Sequence, residues 1–318
     1  MEDNIKISLA PIQGYTDWVF RSAFQKYIGG IDEFYTPFLV LQNDGSIKNS
    51  HKKEVDPRNN LNINLVPQFV AGSVAEFKYF ETYFSDLAYS KMNWNLGCPY
   101  PMVMKKGRGA GLLPYPEKIR EILKEAYDSK LNLSVKMRLG LEAPEEIFPV
   151  LEVLKDFNLD ELILHSRTAK QMYKGNIDRT AYAESVIAYG KEITYNGDIA
   201  SLNDYQELVL RFDDLRKFMI GRGVLSDLYL PKKIKGLEIP SSKERKDILK
   251  QFHNEIFSEY SSLLCGESQV LHKMKPFWEY FANHFQAEKK VYKLIKKAVV
   301  INKYERAVDF AFQQDLKD

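Results

Sequence analysis

A cysteine stands between glycine and proline in Asn95-Leu96-Gly97-Cys98-Pro99, directly after a strand-like apolar run at residues 92–94. A thiol in that position is poorly placed to pack as a core hydrophobe and well placed to point at something bound above a strand end. A glycine-rich basic segment, Lys105-Lys106-Gly107-Arg108-Gly109-Ala110-Gly111, follows it. Cys98 has no sequence-local base, so no nucleophilic triad emerges. With Cys265 as the one other cysteine, the chain lacks the thiols for a disulfide framework or a structural zinc site, which points to a reducing cytoplasm. No HExxH, CxxC or EF-hand pattern occurs, so no metal site is expected.

Further polar residues close or interrupt other apolar runs. Pro11-Ile12-Gln13-Gly14 ends the first run, Gln68 lies in the third, and Asn95 precedes Cys98. Lys136 sits between Val135 and Met137, with Arg138 next. A lysine there is costly to bury unpaired. It reads either as a snorkelling side chain at a strand edge or as a cation for a developing negative charge. His165-Ser166-Arg167-Thr168 packs four hydrogen-bonding side chains into one loop. Asn196-Gly197-Asp198 and Gly221-Arg222-Gly223 each follow a short apolar run. Either is an ordinary turn pattern by itself, yet glycines before a helix also let backbone N–H groups approach a phosphate.

The elements that would position these residues alternate. Strands are expected at 5–10, 33–38, 66–70, 92–95, 133–138, 162–164, 193–195 and 218–220. Helical periodicity falls at 17–27, 74–89, 116–127, 145–157, 179–189 and 203–211. Eight strands alternating with helices predict an α/β fold, a (β/α)₈ TIM barrel, with a doubly wound open sheet as the alternative. In such a barrel the residues named above all fall on the face where strands end and chemistry sits. No GxGxxG follows the first strand, which argues against a Rossmann dinucleotide site.

The 318 residues leave room for a second unit. Residues 231–244, with two prolines, two serines and four lysines, read as a linker. Beyond them helical patterns cover 248–264, 270–285 and 288–312. The expected division is a barrel over 1–235 and an α-helical domain over 236–318. Lys289, Lys293, Lys296 and Lys297 share one helix face, and Lys273 and Lys275 precede the aromatic run Phe277-Trp278-Glu279-Tyr280-Phe281. Such a face is either merely solvated or suited to a structured RNA. A net charge of +2 leaves any polyanion to be met by such local patches. Met1-Glu2-Asp3-Asn4 reads as neither a signal nor a transit peptide, and no apolar run approaches the ~18 residues of a membrane span.

The ordered set resembles the tRNA-dihydrouridine synthases. It comprises Leu9-Ala10-Pro11-Ile12-Gln13-Gly14-Tyr15-Thr16-Asp17 with Phe20-Arg21, Asn95-Leu96-Gly97-Cys98-Pro99, and Gly109-Ala110-Gly111-Leu112-Leu113. It continues through Val135-Lys136-Met137-Arg138, His165-Ser166-Arg167-Thr168, Asn196-Gly197-Asp198-Ile199, Met219-Ile220-Gly221-Arg222-Gly223 and Lys273-Met274-Lys275 with Trp278. The resemblance implies a barrel holding FMN, NADPH as reductant, a helical RNA-binding domain and reduction of uridine in tRNA across C5–C6.

Carried over by position, Pro11, Ile12 and Gln13 would line the flavin, Gln68 and Lys136 would contact its ring and ribityl side, and His165 would help hold it. Asn196, Gly197, Asp198, Gly221 and Arg222 would cradle the phosphate end. Asn95 and Arg138 would place the uracil, and Lys273 and Lys275 would touch tRNA. Cys98 would give C5 its proton, because a thiol of pKa near ~8.5 is mostly protonated at neutral pH. That role needs no partner base. Ser166, Gln13 and Tyr15 depart from the family pattern without removing a group this chemistry needs, and Pro276 stands where the family often has a basic residue, which weakens the carry-over of tRNA contacts. The competing readings are an FMN-dependent reductase of a free pyrimidine, similar to dihydroorotate dehydrogenase, and a non-catalytic tRNA-binding protein. Nothing in the chain demands more than a monomer.

Overall fold

The structure is a computed structural model that describes residues 5–126 and 131–317. The acidic start at residues 1–4 and Tyr127, the last residue of one predicted helix, lie outside the described residues. The first half of the barrel runs β1 (Lys6–Leu9), α1 (Trp18–Tyr27), β2 (Glu33–Tyr35), α2 (Asn49–Glu54), β3 (Leu65–Val66), β4 (Gln68–Phe69), α3 (Val74–Asp86), β5 (Lys91–Leu96), α4 (Pro101–Met104) and α5 (Pro116–Ala126). The second half adds β6 (Asn132–Arg138), α6 (Ile147–Lys155), β7 (Glu161–His165), α7 (Arg179–Tyr189), β8 (Thr194–Asn196), α8 (Leu202–Arg211), β9 (Lys217–Ile220), α9 (Arg222–Ser226) and α10 (Leu230–Ile234).

All strand pairs are parallel, in the order β3-β2-β1-β9-β8-β7-β6-β5-β4. The two ends of that order are one stave. Only Pro67 separates β3 from β4, and proline has no N–H to give a ladder. β3 pairs with β2 and β4 with β5, while Leu39 N donates to Gln68 O at 2.8 Å and Val70 N donates to Leu39 O at 3.0 Å. The ring therefore closes as the eight-staved barrel that the alternation predicts.

Alternate residues of each strand point into the barrel. The lowest layer is polar and satisfied: Glu33 pairs with Lys6 at 2.7 Å and Lys91 at 2.8 Å, and Glu161 accepts from Tyr35 Oη at 2.8 Å. An apolar layer of Ala10, Tyr35, Val66, Ile163 and Met219 follows, with Ala10 and Met219 reaching the cavity above. Above it stand Gln68, Asn95, Lys136, His165 and Asn196, lining the open mouth. The outward residues are apolar and meet the helices. Trp94 on β5, for example, lies edge-on to Phe77 of α3 at 5.6 Å.

After the barrel come α11 (Ser242–Leu263), α12 (Glu267–Phe281), α13 (Glu288–Lys297) and α14 (Ile301–Gln313). Two boundaries differ from expectation. The predicted linker at 231–244 shrinks, because Pro231 sits in the buried first turn of α10, where its missing N–H costs nothing. Ser241 then caps α11 in a reciprocal box with Glu244. The helix expected over 288–312 breaks at Ala298, which lets Val291 and Ile295 of α13 and Tyr304 and Phe312 of α14 all be buried. The helical unit packs on α1, where Phe20 meets Phe252 at 5.6 Å and Phe277 at 5.9 Å.

Its core buries His253 within a polar network. Trp278 Nε1 donates to Tyr304 Oη at 2.9 Å, and that hydroxyl lies 2.8 Å from His253 Nε2. His253 Nδ1 lies 3.1 Å from Asn254 Oδ1. Burial pushes His253 down to about 4, and burial likewise holds His284 at about 4. A folded-state value below the unfolded one gives stability that is present above about 6.5 and lost as pH falls. Between pH 7 and 5, His253 alone is expected to remove on the order of 2 kcal/mol. Melting temperature measured across that range should therefore fall, and fall less in a His253→Gln variant. A melting temperature independent of pH in the parent protein would contradict this.

Candidate functional site

A cavity of about 970 Å³ opens at the C-terminal ends of the strands, at the upper end of the usual ligand-pocket range of ~300–1,000 Å³. Cys98, Pro11, Ile12, Gln13, Gln68, Lys136, His165, Asn196, Gly197, Asp198, Gly221, Arg222, Asn95 and Arg138 all line it. Lys273 and Lys275 do not. Lys273 Nζ lies 2.7 Å from Asp17 Oδ2 and donates to Gly14 O at 2.8 Å, while Lys275 Nζ donates to Ala298 O at 2.8 Å. Both were expected to touch RNA, and both are turned to partners within the chain.

The cysteine loop is held from below by amides. Asn95 Oδ1 accepts the backbone N–H of Gly97 and of Cys98, each at 2.9 Å. That fixes which way the Asn95 amide points, so its Nδ2 donates to Gln68 Oε1 at 2.8 Å. Gln68 Nε2 in turn donates to Asn93 Oδ1 at 2.7 Å, and Asn93 Nδ2 to Ser134 Oγ at 2.8 Å. Every bond in this chain runs in one direction, and Gln68 and Asn95 both line the cavity. From above, Ala110 N donates to Cys98 O at 3.1 Å. Gly109 has φ +57°, and a Cβ on it would lie 2.9 Å from Cys98 O, so the glycine-rich segment is what seats the loop.

Burial raises the Cys98 thiol above its ordinary value, with the Tyr100 backbone and the charges of Arg138 and Lys136 pulling the other way. The thiol is accordingly protonated at neutral pH. Lys136, half-buried on the adjacent strand, makes no hydrogen bond or ion pair among the described residues. Burial, and then Arg138, push it down to about 7. Facing the cavity, it is an available donor for an anionic or carbonyl-bearing group. His165 is buried among cations and held well below its ordinary value, so it is a neutral imidazole.

Across the mouth, Asp198 lies between two guanidiniums. Burial alone would raise its carboxyl, but Arg167 and Arg222 hold it below the usual range. Arg167 reaches both carboxylate oxygens, and Arg222 Nη2 donates to Oδ1 at 2.8 Å. The Asp198 side chain thus fixes two arginines, and the trio keeps one net positive charge beside Gly197 and Gly221. Gly223 packs so closely that a Cβ would lie 2.0 Å from Ile199 O. Arg138 is also committed: Nε donates to Gly97 O at 3.0 Å, and Nη1 to Thr168 O and Met172 O at 2.8 and 2.7 Å.

Sequence reasoning missed Tyr173, whose ring lies under Arg138 at 5.3 Å and Arg222 at 5.4 Å while 59% exposed at the mouth. It also missed Tyr280, which reaches the cavity from α12. Tyr173 lies in an irregular loop, and Tyr280 belongs to an aromatic stripe that reads as core, so neither had a pattern to mark it. Lys289, Lys293 and Lys297 of α13 are exposed and make no ion pair among the described residues. No group of residues suited to a metal ion occurs among the described residues, and no helix there is long and apolar enough to cross a membrane.

Comparison with known proteins places these features. Residues 8–315 match the family model described as dihydrouridine synthase. A "Probable tRNA-dihydrouridine synthase" of Helicobacter pylori (strain J99) is 31% identical over 257 residues, spanning 77% of this chain and 75% of that protein. One of the same description from Staphylococcus epidermidis is 28% identical over 262 residues, spanning 79% and 78%. Among solved structures, the old yellow enzyme of Trypanosoma cruzi superimposes with a TM-score of 0.54 at 8% identity, covering 77% of this chain and 93% of that one. Morphinone reductase does so with 0.51 at 8% identity, covering 74% and 87%. At that identity these two structures speak to the barrel fold alone.

The raised thiol has a direct test. Alkylation of Cys98 by iodoacetamide, with a Cys98→Ser variant to subtract Cys265, should be slower at pH 7.5 than that of a free cysteine. It should keep climbing beyond the ordinary thiol range near ~8.5. Rapid labelling already complete in rate by pH 7 would show a thiolate instead.

Proposed function

Because the chain belongs to the dihydrouridine synthase family, we propose that it reduces uridine in tRNA to 5,6-dihydrouridine, with FMN in the barrel mouth and NADPH as the reductant. The observation that carries this reading is Cys98 and Lys136 facing one cavity at the strand ends, the thiol raised by burial and the lysine free of any ion pair among the described residues. The donor set suits FMN. Lys136 and the Gln68 amide face the cavity where a ring with carbonyl oxygens would lie. Pro11, Ile12 and Gln13 form one wall and His165 another part of the floor. Asn196, Gly197, Asp198, Gly221 and Arg222 bring backbone and a guanidinium to where a phosphate would sit.

When bound and reduced, the flavin supplies a hydride for uracil C6. Cys98 gives its Sγ proton to C5, so one hydride and one proton add across the double bond and the thiolate left behind regains a proton from water. Asn95 serves chiefly by holding the cysteine loop and lines the cavity where the uracil would sit. Arg138 serves chiefly by tying that loop to the one carrying Thr168 and Met172. Lys136, brought down to about 7 by burial and Arg138, supplies positive charge beside the reacting groups when an anionic partner draws its proton back, and a preorganised cation there is worth far more than in water. The target nucleotide must leave its stack to enter, at roughly a few kcal/mol. The exposed lysines of α13 are suited to offset that through phosphate contacts.

Purified protein should be yellow. Cys98→Ala should slow tRNA reduction by about 10²–10⁴-fold, the scale for losing a general acid, while NADPH still bleaches the flavin. Lys136→Met should weaken FMN retention. Full tRNA-reducing activity in Cys98→Ala would remove the proton-donor role. Equal efficiency on free uridine and tRNA would favour the free-pyrimidine reading, and a colourless protein that binds tRNA the non-catalytic one.

A further inference from the structure

We infer that Lys273 and Asp17 form a latch that fixes the helical domain over the barrel, so that Tyr280 completes the wall of the cavity. Asp17 does three things at once. Its Oδ1 caps α1 by accepting Phe20 N at 3.2 Å, its carboxylate accepts Tyr260 Oη of α11 at 2.7 and 2.8 Å, and it pairs with Lys273 of α12 at 2.7 Å. Lys273 and Asp17 side chains are only 22% and 16% exposed, so solvent does little to screen the pair. The ammonium lies over the Tyr260 ring at 4.9 Å and the Phe277 ring at 5.6 Å.

The same lysine reaches the active cavity through its other bond. It donates to Gly14 O at 2.8 Å, one residue after Pro11, Ile12 and Gln13, which line the cavity. That loop is tied down further where Thr16 Oγ1 accepts Ile12 N at 2.8 Å and Arg21 Nη1 donates to Thr16 O at 2.8 Å. Lys273, Phe277 and Tyr280 fall at i, i+4 and i+7, one face of α12. All three meet the first βα loop: Tyr15 lies edge-on to Phe277 at 5.7 Å and to Tyr280 at 5.4 Å. Tyr280 then continues into the cavity wall. Lys273 is thus a positioning residue, and the helix that would carry RNA is the one that closes the site.

The proposal takes the site's chemistry from the reading above, but its first readout needs neither flavin nor RNA. Calorimetry of the full chain should give one unfolding transition for the parent and Lys273→Arg, and two for Lys273→Met. With flavin bound, Lys273→Met should show an altered visible spectrum and weaker FMN retention before any RNA is added. Its kcat on tRNA should fall on the order of 10²-fold, as for a displaced reacting geometry, and Lys273→Arg should recover most of it. If Lys273→Met fails to fold, Asp17→Asn keeps an Oδ1 for the helix cap and for Tyr260 while replacing the oxygen that faces Lys273 with an uncharged NH2 group, and the same splitting is expected. An unchanged calorimetric trace and flavin spectrum, with a raised KM for tRNA and a salt slope lower by about one, would overturn the latch and make Lys273 an RNA contact. A parent protein that binds no flavin would instead count against the proposed function and leave the calorimetric test standing.

Discussion

The site rests on one side-chain oxygen. Asn95 Oδ1 accepts the backbone N–H groups of Gly97 and Cys98, and this pins the loop that carries the thiol. Everything beneath it is oriented by that choice, because an amide accepting at one end must donate at the other. The direction passes to Gln68, to Asn93 and to Ser134, across three neighbouring strands. A buried amide with a broken chain would leave an unpaired donor or acceptor, at about 1–3 kcal/mol. The barrel top is therefore a preorganised frame, and Cys98 is placed by rigid strands although it sits on a loop.

Charge complements that frame. Lys136, Arg138, Arg167 and Arg222 converge on the mouth, and Asp198 is the carboxylate that holds two of them. Burial sets the proton-carrying groups apart, with His165 held neutral, Cys98 raised and Lys136 brought down to about 7. What remains unspent is the Lys136 amine and a thiol. That inventory suits an electron-rich planar ligand and one proton to deliver. It does not suit a covalent nucleophile, which would want the thiol's pKa lowered by an adjacent base.

Much of this was legible in the sequence because strand-end polar residues interrupt apolar runs, and a closed parallel barrel gathers all its strand ends on one face. The strand-end rule points to Cys98, Gln68, Asn95, Lys136, Arg138 and His165, all of which line the cavity, but also to Ser166, Arg167 and Thr168, which do not. The features it misses share a physical cause. Pro67 divides a stave whose apolar pattern is continuous, since ring closure depends on Leu39 bridging to the far side. Tyr173 and Tyr280 reach the mouth through loop geometry and domain docking, which no local periodicity encodes. Lys273 stands in a basic, aromatic stretch that reads as an RNA contact, and its bond to Gly14, 259 residues away along the chain, has no local signal. Long-range polar pairing is the information that a single sequence withholds.

The central claim, that a neutral Cys98 thiol delivers the proton, is tested most directly by the pH dependence of single-turnover tRNA reduction by protein reduced beforehand. The rate should fall with an ionisation above the ordinary thiol range near ~8.5, distinct from any step that Lys136 contributes at about 7. That upper limb should vanish in Cys98→Ala, leaving a slow rate with the lower step alone. A rate that instead rises as the thiol ionises would contradict the claim and assign the work to a thiolate.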